Sequence, residues 1–235
     1  LSEPEKLPKT TEEAFALASG MSASLEERLA AYRSHSARLR PGNAEMYQKL
    51  VDHLEAVVSG SVAPAVGDTM PDFLLPDQHG RLVSLQRLLE SGPVVISINR
   101  GHWCPYCKLD LRALSKVEPD IRRLGAHVVS LMPDTAQYTK RAIKENDFPY
   151  PILTDVDLGY ALTLGLVFWI GADVKKLYGE LGRDLAVFQG NRNYFLPVAA
   201  KFVVGRDGKV KARDININFC ERMEPSDIIA ALERL

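Results

Sequence analysis

Two cysteines, Cys104 and Cys107, stand in the run Arg100-Gly101-His102-Trp103-Cys104-Pro105-Tyr106-Cys107. Thiols at this spacing either cycle between dithiol and disulfide or form half of a metal site. The flanking residues bear on that choice. Before the run, Val94, Val95, Ile96 and Ile98 make an apolar stretch that reads as a buried strand. After it, Leu109, Leu111, Leu114, Val117, Ile121 and Leu124 recur at near-helical spacing. The cysteines therefore stand where a strand passes into a helix. Pro105 suits the first helical position, because its missing N–H would have no intrahelical partner there. Cys104 then faces unpaired backbone N–H groups and the positive end of the helix dipole, which lowers a thiol pKa. It is the expected attacking sulfur, and Cys107, one turn later, can close a disulfide with it. A zinc site would need Cys220 and a histidine such as His102 as well, and no second CxxC is present. Thiol redox chemistry is the expectation.

The elements that must position these thiols can be taken in order. Residues 1–9 are proline-rich and expected to be loose. Thr10-Thr11-Glu12-Glu13 starts a helix that Gly20 stops. Ser22 or Ser24 caps a second helix over 25–39, Pro41-Gly42 breaks it, and a third runs over 44–58 to Ser59-Gly60-Ser61. A helical extension, 1–60, thus precedes a main unit, 61–235. Because it holds no reactive cluster, it is expected to be a structural cover or a dimer contact rather than a substrate surface. The main unit reads as a hairpin around 78–81, a short helix over 85–89, the central strand 93–99 and the cysteine-bearing helix. There follow a strand over 126–132, a helix over 135–145, an extended segment over 149–154 and a helix to Leu164 capped by Asp157. After an apolar 167–170 with Trp169 in the core come a helix over 172–181, a loop to Asn193 and a strand over 199–204. Arg206-Asp207-Gly208-Lys209 turns into a returning strand over 210–215, and a last helix covers 227–235. That order gives an α/β domain with a mixed central sheet flanked by helices on both faces.

Composition narrows the function classes. Hydrophobic residues at 46% allow a sizeable core. A net charge of -1 gives no argument for nucleic acid or an anionic membrane surface. No apolar run approaches the ~20 residues of a membrane helix. Three cysteines are too few for a secreted disulfide framework, so a reducing cytoplasm is the expected setting.

Beyond these readings, the chain resembles a known family. Val66-Gly67-Asp68 through Pro71-Asp72-Phe73, then Arg100 to Cys107, then Phe202-Val203-Val204 with Asp207-Gly208-Lys209-Val210, resembles the AhpC/TSA (alkyl hydroperoxide reductase/thiol-specific antioxidant) peroxiredoxin-like proteins of the thioredoxin fold. Arg-Gly-x-Trp-Cys-Pro-Tyr-Cys, Leu196-Pro197-Val198 and Arg222-Met223-Glu224-Pro225 are similar to a bacterial branch of that group that has a helical N-terminal extension. The resemblance implies a peroxidatic Cys104 that attacks a hydroperoxide and becomes a sulfenic acid, and a resolving Cys107. It further implies a thioredoxin- or glutaredoxin-type reductant, and no metal or organic cofactor. The pattern Pro-x-x-x-Thr/Ser-x-x-Cys of ordinary members is absent, with Ser97 and Gly101 at its two positions. Their arginine near the late strand is absent too; Ala199 stands there and Arg100 is the expected substitute. Where related enzymes place a cis-proline, Pro197 lies two residues before Ala199, and the Val198–Ala199 bond is expected to be trans.

Single residues around the motif carry open alternatives. Trp103 is a shield or docking surface for the sulfurs, or a half-buried anchor. His102 stabilises a thiolate or moves protons, or is exposed and idle. Arg100 stabilises the thiolate or pairs with a carboxylate such as Asp134. Cys220 is an inert structural cysteine or a third redox thiol. Asp155, Asp157 and Glu118 read as helix-end or surface charges. The leading function is a thiol peroxidase. A thiol–disulfide oxidoreductase and a redox-responsive binding module are the alternatives.

Overall fold

A computed structural model describes residues 7–57 and 62–235 of the chain. The expected helix end at Ser59-Gly60-Ser61, the boundary between 60 and 61 and the first residues of the loose segment lie outside the described residues. Helix α1 (Thr11–Gly20) is capped by the Thr10 hydroxyl, which accepts from the Glu13 N–H. Helix α2 (Leu25–Leu39) opens with a full capping box between Ser24 and Glu27. Helix α3 (Pro41–Val57) begins at the proline itself, three residues earlier than the sequence suggests, because proline at a helix start gives up no hydrogen bond.

Strands β1 (Leu74–Pro76) and β2 (Leu82–Ser84) form the expected hairpin, and α4 (Leu85–Ser91) follows on the Ser84 cap. Strand β3 (Val94–Ile98) feeds helix α5 (Pro105–Arg123), and β4 (His127–Met132) returns beside β3. Helix α6 (Ala136–Asn146), strand β5 (Ile152–Thr154), a 3-10 turn (Val156–Leu158) and helix α7 (Gly159–Thr163) continue the chain. It is the Asp155 carboxylate, not that of Asp157, that accepts from the Tyr160 and Ala161 N–H groups at the start of α7. Asp157 sits at φ 52 within the turn, which takes it out of the capping position.

Strand β6 (Val167–Trp169), helices α8 (Gly171–Glu180) and α9 (Leu185–Gln189), and strand β7 (Phe195–Pro197) come next. The loop expected up to Asn193 contains α9, begun by the Asp184 cap, and beyond it lies β7, a strand the sequence does not show because its register with β6 depends on a partner distant in sequence. Trp169, assigned to the core, is 57% exposed, because strand alternation buries Phe168 between its neighbours and turns Trp169 outward. Strands β8 (Ala199–Val204) and β9 (Val210–Asn216) and helix α10 (Pro225–Leu232) complete the chain.

Among the described residues the main sheet has five strands in the order β5-β4-β3-β8-β9, with β3, β4 and β5 parallel and β8 antiparallel to β3 and β9. Alternation along β3 divides the core in two. Val94, Ile96 and Ile98 pack with Phe202, Val204 and Leu177 on one face, and Val95 packs with Leu111, Leu114 and Ile228 on the other. A third cluster joins the extension to the cysteine helix: Ala14, Ala18, Leu25, Leu29 and Tyr32 meet Cys104, Cys107, Leu109, Ala113 and Phe219. Among the described residues, no helix is long and apolar enough to cross a membrane.

Candidate active site

The passage from β3 to α5 is fixed at both ends. Asn99 leaves the sheet with its N–H donating to the Leu131 carbonyl at 2.9 Å, while its side chain donates to Ser97 Oγ and Ser130 Oγ at 2.9 and 3.1 Å. Asp134, at the end of β4, holds the loop from the other side. One of its oxygens accepts from the His102 N–H at 2.6 Å and from His102 Nδ1 at 2.9 Å. Between them Gly101 turns at φ +145, a conformation that side chains rarely adopt. A Cβ there would lie 2.5 Å from Trp103 Nε1 and 3.1 Å from Asp134 Oδ1. The threonine or serine of ordinary family patterns therefore has no room in this loop. Ser97, at the pattern's other position, is buried in β3 as a partner of Asn99.

Cys104 is the N-cap of α5 and Pro105 its first helical residue, as the spacing predicts. Both thiols are unpaired with any disulfide and fully buried. Burial pushes each of them up. At Cys104 that effect is outweighed by a hydrogen bond with Cys107 and by the positive charges of Arg100 and Arg222, so its thiol is held far below the ordinary cysteine value. Burial, the same hydrogen bond and the neighbouring Cys104 charge push Cys107 well above it. The pair is thus polarised into one thiolate and one thiol.

Two buried arginines supply this field. Arg100 donates to the Tyr178 hydroxyl, lies over the Phe219 ring with its Cζ 3.9 Å from the centroid, and sits 5.6 Å from the Trp103 centroid. The alternative pairing of Arg100 with Asp134 does not occur: Arg100 turns to Tyr178 and the Phe219 ring, while Asp134 holds His102 through one oxygen. Arg222 donates from Nη2 to Cys107 Sγ at 3.4 Å and from Nη1 to the Phe219 carbonyl at 2.7 Å. Its Nε lies 3.6 Å from Asp110 Oδ2, and Asp110 in turn forms a buried ion pair with Lys201. A row of charges, Lys201, Asp110 and Arg222, thus ends on the second sulfur. This row is not among the residues that the motif and its spacing point to. Its signals were a carboxylate inside the apolar stripe of α5 and a lysine inside the apolar run of β8, each a charge that must find a partner if buried.

A cavity of about 220 Å³ opens over Cys104. Arg100, Trp103, Cys104, Pro105 and Tyr106 all line it, together with Tyr178, Phe219 and Cys220. The opposite wall comes from the extension: Tyr32 and Arg33 of α2, Arg40 at the junction and Tyr47 of α3. The helices expected to be only a cover or a dimer contact therefore face the thiol, because Tyr32 packs edge-on against Tyr106 at 5.1 Å and Tyr47 against Phe219 at 5.5 Å. Other residues fall elsewhere. His102 is buried rather than exposed, stacked on Tyr138 and turned toward Asp134, outside the cavity lining. Pro197 pairs with Val167 in β7, also outside the lining. No cis bond occurs among the described residues, Val198–Ala199 included. Trp103 is half-buried and lines the cavity. Cys220 is half-buried, and burial pushes its thiol up. Asp155 is a helix-end charge that caps α7, whereas Glu118 is buried within α5 and pairs with Arg122 at 2.6 Å. Among the described residues, no three metal-binding side chains gather into a ligand set.

The AhpC/TSA family model matches residues 66–213. A Mycobacterium tuberculosis protein named as a peroxiredoxin is 29% identical over 100 residues, 43% of this chain and 65% of its own length. The chloroplast peroxiredoxin Q of Sedum lineare is 32% identical over 89 residues, 38% of this chain and 47% of its own. The chain thus spans less than two thirds of the length of these relatives. Among solved structures, peroxidoxin BcpB of Mycobacterium tuberculosis superposes with a TM-score of 0.56 at 22% identity, covering 73% of this chain and 98% of its own. Xanthomonas campestris peroxiredoxin Q superposes with 0.51 at 16% identity, covering 69% and 90%. Those similarities establish the thioredoxin-like fold of the sheet and its flanking helices, to which the N-terminal helices are added.

Proposed function

This chain belongs to the AhpC/TSA family, and from that premise we propose that it is a thiol peroxidase acting through Cys104 and Cys107. The observation that carries the proposal is a polarised thiol pair whose Cys104 lines a cavity, with Arg100 and Arg222 favouring charge on Cys104. The Cys104 thiolate attacks the terminal oxygen of a hydroperoxide ROOH. The O–O bond breaks, sulfur gains OH as a sulfenic acid, and the departing alkoxide takes up a proton to leave as ROH, or as water from hydrogen peroxide. Cys107, still a thiol, then displaces that hydroxyl as water and closes the Cys104–Cys107 disulfide. Two equivalents of an external thiol, or one dithiol of the thioredoxin or glutaredoxin type, restore both thiols.

Each neighbouring side chain takes a role in this scheme. Arg100 and the Tyr178 hydroxyl it holds replace the missing hydroxyl at position 101 in orienting the peroxide. Arg222 stabilises Cys107 as its proton leaves during ring closure. Trp103 and Tyr106 close the cavity sides around the reacting oxygen. His102, Pro105 and Pro197 act through the backbone they fix. Residues 1–60 serve as a helical extension to a peroxiredoxin-like unit over 61–235, in a cytoplasmic enzyme that pairs as a homodimer.

Gly101 favours a second reading, thiol–disulfide exchange on a disulfide substrate, because the peroxide-holding hydroxyl is replaced there. Rapid mixing separates the two. Reduced protein is mixed with hydrogen peroxide and, in parallel, with a protein disulfide. A fast sulfenic acid trapped by dimedone in Cys107→Ser supports the peroxidase. A peroxide rate no greater than that of free cysteine at the same pH, beside fast reduction of the disulfide, establishes the exchange reading instead.

A further inference from the structure

We propose that the cavity over Cys104 selects an organic hydroperoxide that carries a carboxylate. The anion sits against the arginines at the mouth and the O–O bond lies against the sulfur. This inference rests on the peroxidase reading and adds a substrate class to it.

Size is the first argument. Hydrogen peroxide is little larger than water, and a water needs only ~10–15 Å³ of such space. A cavity of about 220 Å³ holds a small organic molecule. Its walls suit one, because Tyr32, Tyr47, Tyr106, Tyr178, Trp103 and Phe219 present aromatic faces and edges on several sides.

Charge is the second. Among the described residues four arginines line the cavity, Arg33, Arg40, Arg100 and Arg183, and no carboxylate does. None of the four forms a salt bridge with a carboxylate of a described residue; the only charges facing them are the Cys104 thiolate beside Arg100 and, more weakly, Glu12 beside Arg40. Arg33 donates to the Gln48 carbonyl oxygen at 3.1 Å, and Arg183 to the Tyr47 hydroxyl at 3.3 Å. Buried Arg100 donates to Tyr178, and its Nε has no protein partner. Four positive charges around one space, offset by fewer negative ones, are unfavourable, and an anionic ligand relieves them.

The third argument is the arrangement by depth. Arg100 is buried beside the sulfur, Arg183 is half-buried, and Arg33 and Arg40 are exposed. A neutral reacting group at the floor and a carboxylate at the mouth fit this gradient. The outer charges all come from outside the reacting loop: Arg33 and Arg40 from the extension, and Arg183 from the turn after α8. The N-terminal helices are then a specificity element of the site. The step is unchanged: Cys104 thiolate and ROOH give sulfenic acid and ROH, with the carboxylate of R unaltered.

The test uses a pair of hydroperoxides that differ only in the anion: cumene hydroperoxide and its 4-carboxylate. Reduced full-length protein is mixed with each in single turnover. The expected result is a second-order constant about tenfold higher for the carboxylate, falling toward equality as added salt screens the exposed arginines. Arg33→Gln with Arg40→Gln lowers that ratio about fivefold, since each exposed charge contributes modestly. The charge-reversed pair Arg33→Glu with Arg40→Glu drives it below one. An unchanged melting temperature shows that the variants fold. Equal wild-type constants, or an unchanged ratio in folded variants, overturn the inference, and fast hydrogen peroxide turnover then leaves the peroxidase reading in place. Charge preference confined to the re-reduction step, seen by comparing a carboxylated with a neutral thiol, also overturns it by placing the anion on the reductant. If no peroxide outpaces its reaction with free cysteine, the peroxidase reading fails and this inference falls with it.

Discussion

Replacing Gly101 by alanine adds one carbon at the narrowest point of the reacting loop, and the cost can be worked from the geometry. At φ +145 the backbone holds a conformation open chiefly to glycine, and forcing a side chain into such a region costs about 1–3 kcal/mol. The new Cβ would meet Trp103 Nε1 at 2.5 Å, Trp103 Cδ1 at 3.0 Å and Asp134 Oδ1 at 3.1 Å. Trp103 must move, yet Tyr178 packs against it at 5.1 Å and Arg100 lies under it, so the shift spreads into the site. Overpacking of this kind adds about 1–3 kcal/mol. The sum, about 2–6 kcal/mol, corresponds to a loss of about 5–20 °C in Tm for a chain of this size. Thermal and urea denaturation followed by circular dichroism measure it. Gly101→Thr carries the same argument to function. It restores the hydroxyl of the ordinary family pattern, yet the peroxide rate is expected to fall, because Trp103 is displaced from over Arg100. A loss below about 0.5 kcal/mol for Gly101→Ala, the range of an ordinary surface change, refutes the steric argument. So does a faster peroxide reaction in a fully stable Gly101→Thr.

Further expectations concern the sulfurs and their charges. Since the folded Cys104 thiol is depressed from its ordinary 9.0, the thiolate persists as pH falls below that value. Its reaction with peroxide should therefore stay nearly flat from pH 8 to about 6.5, where free cysteine slows about tenfold per unit; a slope matching free cysteine in stopped-flow assays contradicts the polarised pair. Arg222→Met removes a donor from Cys107 and a positive charge from both sulfurs, and should raise the Cys104 pKa by about one unit. Thiolate absorbance at 240 nm reads the shift, and an unmoved titration shows that Arg222 is only structural. Asp110→Asn strands buried Lys201 and Arg222 without their anion and should cost about 3–5 kcal/mol in urea denaturation. Pairing Asp110→Met with Lys201→Met should recover part of that loss, and no recovery means the pair is not coupled. Cys104→Ser should abolish peroxide turnover while Cys220→Ser keeps most of it, and equal losses in a steady-state assay would mean that the wrong thiols have been paired.

How much of this was legible in the sequence depends on the range of the interaction that decides each feature. The position of Cys104 ahead of Pro105 is local: an apolar strand, two cysteines one turn apart and an amphipathic helix fix it, and the N-cap of α5 follows. The capping box of α2, the hairpin of β1 and β2 and the order of strands and helices are local in the same way. Short elements were less legible. Strand β7 exists because β6 lies beside it, and Trp169 faces outward because of that pairing's alternation, neither of which a three-residue window contains.

The sequence by itself determined which sulfur stands at the head of a helix, because propensity, proline and hydrophobic period act over a few neighbouring residues. Tertiary structure alone decided what surrounds that sulfur. Arg222 reaches Cys107 across 115 positions, Lys201 meets Asp110 across 91, and Tyr178 receives Arg100 across 78. Likewise, α2 and α3 became a wall of the cavity rather than a distant cover only when Tyr32 and Tyr47 found Tyr106 and Phe219. Charge and aromatic contacts act through space, over distances that chain spacing does not encode, so the field that ionises Cys104 comes into being only when the chain closes around it.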